Sequence, residues 1–439
     1  MITQRKRLAI LLMLIFTSVM LSAEEPEVIR LSWDEVGNRC RLDNLSLKMN
    51  ALDEDSQQQE VNRAWGGFLP TLDYTWLWSD DEADDAYLLP ENLFIHSLQL
   101  TFPLFTGGAR IANLKMQKHL QKSMTAEFKG AEDGVVLQAM QAYYGAILAD
   151  EMVEVYREAQ ILAETNLRQV ESFRDAGTAT ELAVKQARTR YFESIPQLAS
   201  AQNQKKLSLK QLKYLLNIAA EDSLEVNDDL VERQFLGSYA GMKLEEIRIL
   251  AHDNRSEVEQ IIQQNKAVTQ QKMLAFSKFL PVVALTAGTQ HVAYSEDWSV
   301  KSEEFDRSNS IGLAVQLPLF NGGSRYFDLK VAGNAKRKMN ILLEQVIDQV
   351  ELDAEQSYYT YLEARDNLKS QEEALAAAEE SLRLVNLYYA QGMVSQTEVL
   401  GAQLAYTQNQ AAMKNGIFLY NTSQLALLKA IGDLHCIWK

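Results

Sequence analysis

The stretch QLPLFNGGSR, residues 316–325, decides the fold of this chain. In front of it, apolar residues such as Leu313 and Val315 alternate with small or polar ones. This period of two predicts a strand with one apolar face. The Asn-Gly-Gly that follows is typical of a tight turn, and a helical pattern without proline then continues to Gln391. The sequence therefore predicts a strand that turns directly into one very long helix.

The same stretch occurs twice, because TFPLFTGGAR at residues 101–110 repeats it. Upstream, FLP at residues 68–70 matches FLP at residues 279–281 with an offset of 211. A repeat this long indicates an internal duplication rather than a short-period solenoid. The residues that coincide at an offset of 215 are Pro103 and Pro318, Gly107 and Gly322, Gly108 and Gly323, Tyr143-Tyr144 and Tyr358-Tyr359, and Gly177 and Gly392.

The N-terminal residues have the pattern of a secretory signal peptide. Arg5, Lys6 and Arg7 precede an apolar run of about 14 residues that ends at Leu21-Ser22-Ala23, and this order of basic, apolar and small residues is typical of such a signal. The run is too short to span a bilayer comfortably. We expect residues 1–23 to be removed and the protein to be exported.

Composition and motifs exclude several classes of function. With 43 basic and 59 acidic residues, the chain is not expected to bind nucleic acid or an anionic membrane surface. No stretch after the signal approaches 18 continuous apolar residues, so no transmembrane helix is predicted. The histidines are scattered without metal-ligand spacing, and no phosphate-binding loop or nucleophile motif is present. We therefore predict no metal, no cofactor and no enzymatic activity.

Four strands are predicted, at about residues 68–79, 93–105, 279–294 and 309–320. Each has apolar residues on one face, and polar, acidic loops join the strands in pairs. Strands of about ten residues with one apolar face are typical of outer-membrane barrels. Four strands cannot close such a barrel, and an open sheet edge is not tolerated in lipid. The residues alone therefore predict an oligomer, and either eight strands from a dimer or more from a larger assembly meet this condition.

The helices are predicted as two long hairpins, at residues 108–217 and 323–431. Apolar residues recur every seven positions from Asp348 to Gln391, which is the pattern of a coiled coil. Gly177 and Gly392 mark the tips, because glycine commonly ends a helix. The predicted fold is mainly α with a small β part, built from a duplicated strand-strand-hairpin unit. Its parts are a first repeat at 24–217, a linker or equatorial segment at 218–243, a second repeat at 244–432 and a tail at 433–439.

With the doubled PLF-x-GG-x-R, the doubled Tyr-Tyr and the doubled hairpin glycine, the chain resembles the TolC-like outer-membrane efflux family. The resemblance implies a homotrimer whose 12-stranded outer-membrane barrel continues as an α-helical barrel through the periplasm. It also implies a passive exit duct of a tripartite efflux or type I secretion system, which receives substrates from an inner-membrane pump through a periplasmic adaptor. The alternative is a periplasmic coiled-coil scaffold that never enters a membrane.

The resemblance also implies roles for particular residues. Glu398 and Tyr389 match the family's channel entrance, although Gly401 and Val394 replace its second acid and its arginine. The alternative for Glu398 is an ordinary exposed helix glutamate. The residues that match the adaptor-contacting hairpin tips are Gly177, Thr178, Gly392 and Met393, and those of the strand-to-helix turns are Pro103, Gly107, Gly108, Pro318, Gly322 and Gly323.

The two cysteines, Cys40 and Cys436, lie near the two ends of the mature chain. In the architecture implied above, both ends lie at the same level of the helical tunnel, in an oxidising compartment where close thiols pair. A disulfide between them is therefore a hypothesis. Two unpaired thiols are the alternative, since Ala251 stands in the second repeat where the first has Cys40.

Overall fold

The computed structural model describes residues 28–80, 92–295 and 300–438, so the predicted signal peptide lies outside the described residues. The chain divides into two compact units. The helical unit comprises Met1–Leu47, Glu132–Ile247 and Glu355–Lys439, and the sheet unit comprises Lys48–Ala131 and Arg248–Ala354. Among the described residues, no helix combines the length and the apolar character that a membrane crossing requires.

The sheet strands and the helical hairpins follow each other in the order that the repeats predict. Short additional strands, and two further helices in front of the sheet strands of each repeat, are not predicted by the sequence patterns. The elements are β1 Val28–Leu31, α1 Trp33–Asp43, α2 Leu45–Gly66, β2 Thr71–Asp80, β3 Asn92–Thr106, α3 Ala109–Asp175, α4 Glu181–Leu215, β4 Ser223–Val226, α5 Leu244–Asn254, α6 Ser256–Ser277, β5 Val282–Ser295, β6 Asp306–Gln316, α7 Ser324–Ala390 and α8 Gln396–Ala430. A short helical turn, Leu434–Trp438, follows α8.

The sheet unit contains an antiparallel sheet with the strand order β2-β3-β5-β6. Leu100 of β3 faces Leu72 of β2 on one side and Ala287 of β5 on the other. Alternation places Leu72, Tyr74 and Trp76 on one face, and all three are exposed. The described part of the chain therefore presents a broad apolar sheet face, with β2 and β6 at its two edges.

The strands begin and end at slightly different residues from those predicted. β2 begins at Thr71 rather than at residue 68, because Phe68 closes the end of α2 through its N–H bond to Trp65 O. The turn after α6 delays the start of β5 from residue 279 to Val282 in the same way. β6 ends at Gln316 rather than at residue 320, since its partner β5 starts with Val282 opposite Gln316. No strand of the described residues pairs with residues 317–320, and Phe320 is 86% exposed.

The two hairpins have matching lengths. α3 and α7 each contain 67 residues, and α4 and α8 each contain 35. Tyr143 Oη donates to Leu31 O at 3.4 Å, and Tyr358 Oη donates to Met242 O at 3.2 Å. Leu31 and Met242 are themselves 211 residues apart. These features agree with an internal duplication, which stays a prediction.

In the helical unit, the segment predicted as a linker is held by paired structure. β4 pairs in parallel with β1, and the extended residues 231–236, which we call the strap, lie along α8. Asn421 accepts a hydrogen bond from Arg233 N at 3.0 Å, and its amide donates to Val231 O at 2.8 Å. Gln424 accepts from Phe235 N at 2.9 Å and donates to Arg233 O at 2.8 Å. Two buried amides of α8 thus satisfy the backbone of the strap, as a neighbouring strand would.

Candidate functional site

Both hairpin tips are closed by a glycine in the left-handed region. Gly177 has φ +77° and Gly392 has φ +71°, and in each tip the next residue donates its N–H five residues back, Thr178 to Phe173 O and Met393 to Tyr388 O. This is a Schellman closure, which favours glycine because other residues are strained there. The predicted tip residues therefore lie at the turns, where a Cβ on either glycine would meet nothing within 4 Å.

Tyr389 joins the second hairpin to the first. It packs against a buried cluster on α3 and α4 that contains Val170, Ala183 and Val184, and its ring centroid lies 5.8 Å from that of Phe173. Burial raises the pKa of Tyr389. The structure thus gives this residue a packing role between the two tips.

A buried hydrogen bond reinforces the same contact between the tips. Gln396, the first residue of α8, donates to Asn166 Oδ1 of α3 at 2.6 Å. Both side chains are buried, so their mutual bond satisfies polar groups that water does not reach.

Glu398 is exposed in the first turn of α8 and is held by its own helix. Its carboxylate accepts the N–H of Ser395 at 2.6 Å, and its N–H donates to Ser395 Oγ at 3.4 Å. This reciprocal pair is a capping box, and the hydrogen bond from the Ser395 backbone lowers the pKa of Glu398. The local signal, Ser-Gln-Thr-Glu, is present in the sequence. Glu398 is therefore ionised at neutral pH and fixed at the start of α8.

The strand-to-helix turns are built on glycines with positive φ. The values are +61° and +81° at Gly107 and Gly108, and +68° and +80° at Gly322 and Gly323. The two turns differ in their surroundings. A Cβ on Gly107 would lie 2.6 Å from Ser277 O, whereas a Cβ on Gly322 would meet none of the described residues within 4 Å. The first turn is thus covered by α6, and the second is open in the single chain.

The family model described as outer membrane efflux protein matches residues 36–217 and 249–433 of this sequence. The chain belongs to this family. It is 22% identical over 420 residues to the outer membrane protein TolC of Escherichia coli strain K12, which covers 91% of this chain and 82% of that protein. Among solved structures, the Campylobacter jejuni CmeC outer membrane channel matches with a TM-score of 0.79 and 17% identity, over 91% of this chain and 85% of that one. VceC of Vibrio cholerae matches with a TM-score of 0.77 and 18% identity, over 91% and 95%.

This efflux protein therefore has the fold of the TolC-like channels, mainly helical with a smaller sheet part. It is an outer-membrane exit duct for efflux or secretion, with a large helical part in the periplasm. The family is one of transport channels.

Two arginines of this efflux protein have a role that sequence reasoning missed. Arg325 donates to Pro318 O at 2.7 Å and to Lys278 O at 3.3 Å, and its guanidinium lies 5.3 Å from the ring centroid of Phe279. Arg110 makes the corresponding contacts, with Gly67 O at 3.3 Å and the Phe68 ring at 5.1 Å. The arginine of each PLF-x-GG-x-R stretch thus fastens the strand-to-helix turn to the FLP segment. The recurrence of this arginine in both repeats is the sequence signal that points to a shared structural role.

Among the described residues of the efflux protein, no disulfide joins Cys40 and Cys436. Cys40 is buried, and its Sγ contacts Val135 O of α3 at 3.7 Å. Burial raises the pKa of Cys40 to about 11. Cys40 is therefore directed at a neighbouring helix backbone and is kept protonated at neutral pH.

Proposed function

We propose that this efflux protein forms a homotrimer in which three four-stranded sheets close a 12-stranded barrel, continued by a barrel of helical hairpins. It acts as a passive duct that receives substrates from an inner-membrane pump through a periplasmic adaptor, in a tripartite efflux or type I secretion system. The observation that carries this proposal is the apolar sheet face between two open edges. A scaffold in water would expose that face, which is unfavourable, and lipid does not tolerate the edges unless they pair.

The pairing of β3 with β5 predicts how the open edges meet. These strands join the end of the first repeat's sheet to the start of the second, with Leu100 opposite Ala287. The repeat offsets of 215 and 211 carry this pair onto Val315 of β6 and Trp76 of β2. In a closed ring, Val315 of one protomer therefore faces Trp76 of the next. Both side chains are exposed in the single chain, Val315 by 65% and Trp76 by 57%.

The strand-to-helix turns support the same assembly. Within one chain, Ser277 and Leu280 cover Gly107. Their counterparts at the offset of 211 are Gly66 and Leu69, and the next protomer would bring these residues over the open Gly322. The turn at Gly322, which is open in the single chain, is thus the turn that a neighbouring protomer would cover.

At the other end of the hairpins, we assign the adaptor contact to the tips, which contain Gly177 and Thr178 in the first hairpin and Gly392 and Met393 in the second. Their turns are exposed, and their shape is fixed by glycine. Tyr389, just before the tip glycine Gly392, and Glu398, in the first turn of α8 after it, lie at the entrance of the duct. A relative, PrtF of Dickeya chrysanthemi, carries the name proteases secretion protein and is 20% identical over 379 residues. Secreted polypeptides are therefore one class of substrate that is compatible with this duct.

The trimer is tested by cysteines at Val315 and Trp76 in a chain whose Cys40 and Cys436 are replaced by alanine. Oxidation of the outer-membrane fraction is expected to give covalent dimers and trimers on non-reducing gels. The matched control pairs Val315 with Leu77, whose side chain points to the opposite sheet face. Monomers alone from the Val315 and Trp76 pair would contradict the closed barrel.

A further inference from the structure

The hairpin tips carry a second set of matching surfaces. Within one chain, Tyr389 lies on a bed formed by the first hairpin, which comprises Leu167, Val170, Phe173, Ala183 and Val184. The offset of 215 assigns a counterpart to every member of this bed on the second hairpin. The counterparts are Leu382, Val385, Tyr388, Glu398 and Val399.

The residue that corresponds to Tyr389 is Arg174, at the end of α3. We propose that Arg174 of the next protomer occupies the bed on the second hairpin and forms an ion pair with Glu398. This inference rests on the proposed trimer, in which each second hairpin meets the first hairpin of a neighbour as the two meet within one chain.

Two residue differences between the first and the second bed favour a cation in the second. Glu398 replaces the small Ala183 and brings a carboxylate, which arginine binds with parallel hydrogen bonds. Tyr388 replaces Phe173, and its ring, 41% exposed in the single chain, offers a face to a guanidinium. Val385, the counterpart of Val170, is apolar and partly exposed in the single chain, and it suits the aliphatic stem of an arginine.

Arg174 is free to make this contact at little cost. In the single chain it pairs with its neighbour Asp175 at 2.7 Å and with Glu181 at 3.8 Å. Such exposed pairs contribute little to stability, because water and salt screen them. The other charges at this tip, Glu171 and Arg188, already pair with each other at 2.8 Å.

Glu398 therefore belongs to a latch between protomers. Three unpaired glutamates around an entrance would repel each other and attract cations. Paired with three Arg174 side chains, they instead neutralise the ring and join neighbouring hairpins. The capping box with Ser395 orients Glu398 for this contact.

Cross-linking tests the contact directly. In the chain without native cysteines, a cysteine at Arg174 together with one at Glu398 is expected to give covalent dimers and trimers. The control combines Arg174→Cys with a cysteine at Thr397, whose counterpart Leu182 lies outside the bed and is exposed. The Val315 and Trp76 pair is oxidised in parallel.

The outcomes separate the two proposals. Cross-linking at both the strand pair and the Arg174 and Glu398 pair supports the latch. Cross-linking of the strand pair without that of the tip pair overturns the latch and leaves the trimer intact. Failure of the strand pair overturns the trimer and the latch with it.

Ion selectivity gives an independent readout of the latch in planar bilayers. Arg174→Gln leaves three unpaired carboxylates and is expected to shift the reversal potential toward cation selectivity. Glu398→Gln, which keeps the capping box, is expected to shift it toward anion selectivity. No shift in Arg174→Gln would overturn the pairing.

Discussion

Replacement of Gln424 by alanine should release the strap of residues 231–236 from α8. The Gln424 residue is 1% exposed and bonds the strap through both of its polar atoms. Its Oε1 accepts the N–H of Phe235 at 2.9 Å and that of Leu236 at 3.4 Å, and its Nε2 donates to Arg233 O at 2.8 Å. Alanine removes both partners, and the adjacent Asn421 cannot replace them, because its own amide is already bonded to Arg233 N and Val231 O.

The magnitude follows from the groups left unpaired. The Phe235 N–H and the Arg233 carbonyl lose their closest partners, and each loss costs about 1–3 kcal/mol. We expect the free energy of local opening of the strap to fall by about 2–6 kcal/mol. Since each 1.4 kcal/mol changes an equilibrium constant tenfold, the open population should rise roughly 30- to 20,000-fold.

Tryptic cleavage after Arg233 measures this opening, because proteolysis follows the open population when reclosing is fast. Gln424→Ala should be cut at Arg233 at a rate raised by the same factor. Gln410→Ala is the matched control, since that amide bonds Glu158 on the exposed surface, and its cleavage rate should match the parent. An unchanged rate in Gln424→Ala would show that the strap is held by other contacts.

Three further predictions concern the tips, the thiols and the turns. Gly392→Val and Gly177→Val should reduce export at unchanged trimer level, because positive φ costs a side chain about 1–2 kcal/mol; normal export in both would reject this. The unfolded, non-reduced protein should show two alkylatable thiols, and native Cys40 should react slowly at pH 8 because its pKa of about 11 keeps it protonated; a mass two hydrogens lower without alkylation would contradict it. Arg325→Ala should lower the heat-dissociation temperature of the trimer, since it removes charged hydrogen bonds worth about 1.5–3 kcal/mol; an unchanged temperature would refute that role.

Local patterns predict the four strands of the sheet and the two long hairpins, but not the helices α1, α2, α5 and α6. Alternation predicts the four strands of the sheet, and glycines predict the hairpin tips. Each of these signals is contained in a short stretch of sequence. The end of β6 was wrong by four residues, since it depends on where the partner strand β5 begins. That information lies about 35 residues away along the chain, beyond any pattern in β6 itself.

The site residues were less predictable for the same reason. The family resemblance assigns Glu398 to the entrance, whereas the capping box that holds it is encoded locally in Ser-Gln-Thr-Glu. The strap and the parallel pair of β1 and β4 require contacts between segments nearly 200 residues apart, which composition does not reveal. The sequence shows that Arg110 and Arg325 recur in the two PLF-x-GG-x-R stretches. Their hydrogen-bond acceptors are backbone carbonyls that only the folded turn brings near.

Electrical recording from the purified protein in a planar lipid bilayer tests the central claim most directly. A passive duct is expected to give discrete, stable current steps without pump, adaptor or any energy source, and Val315 and Trp76 cysteines cross-linked to covalent trimers should give the same steps. Trimeric protein that inserts into the bilayer and carries no current under any applied voltage would contradict the account.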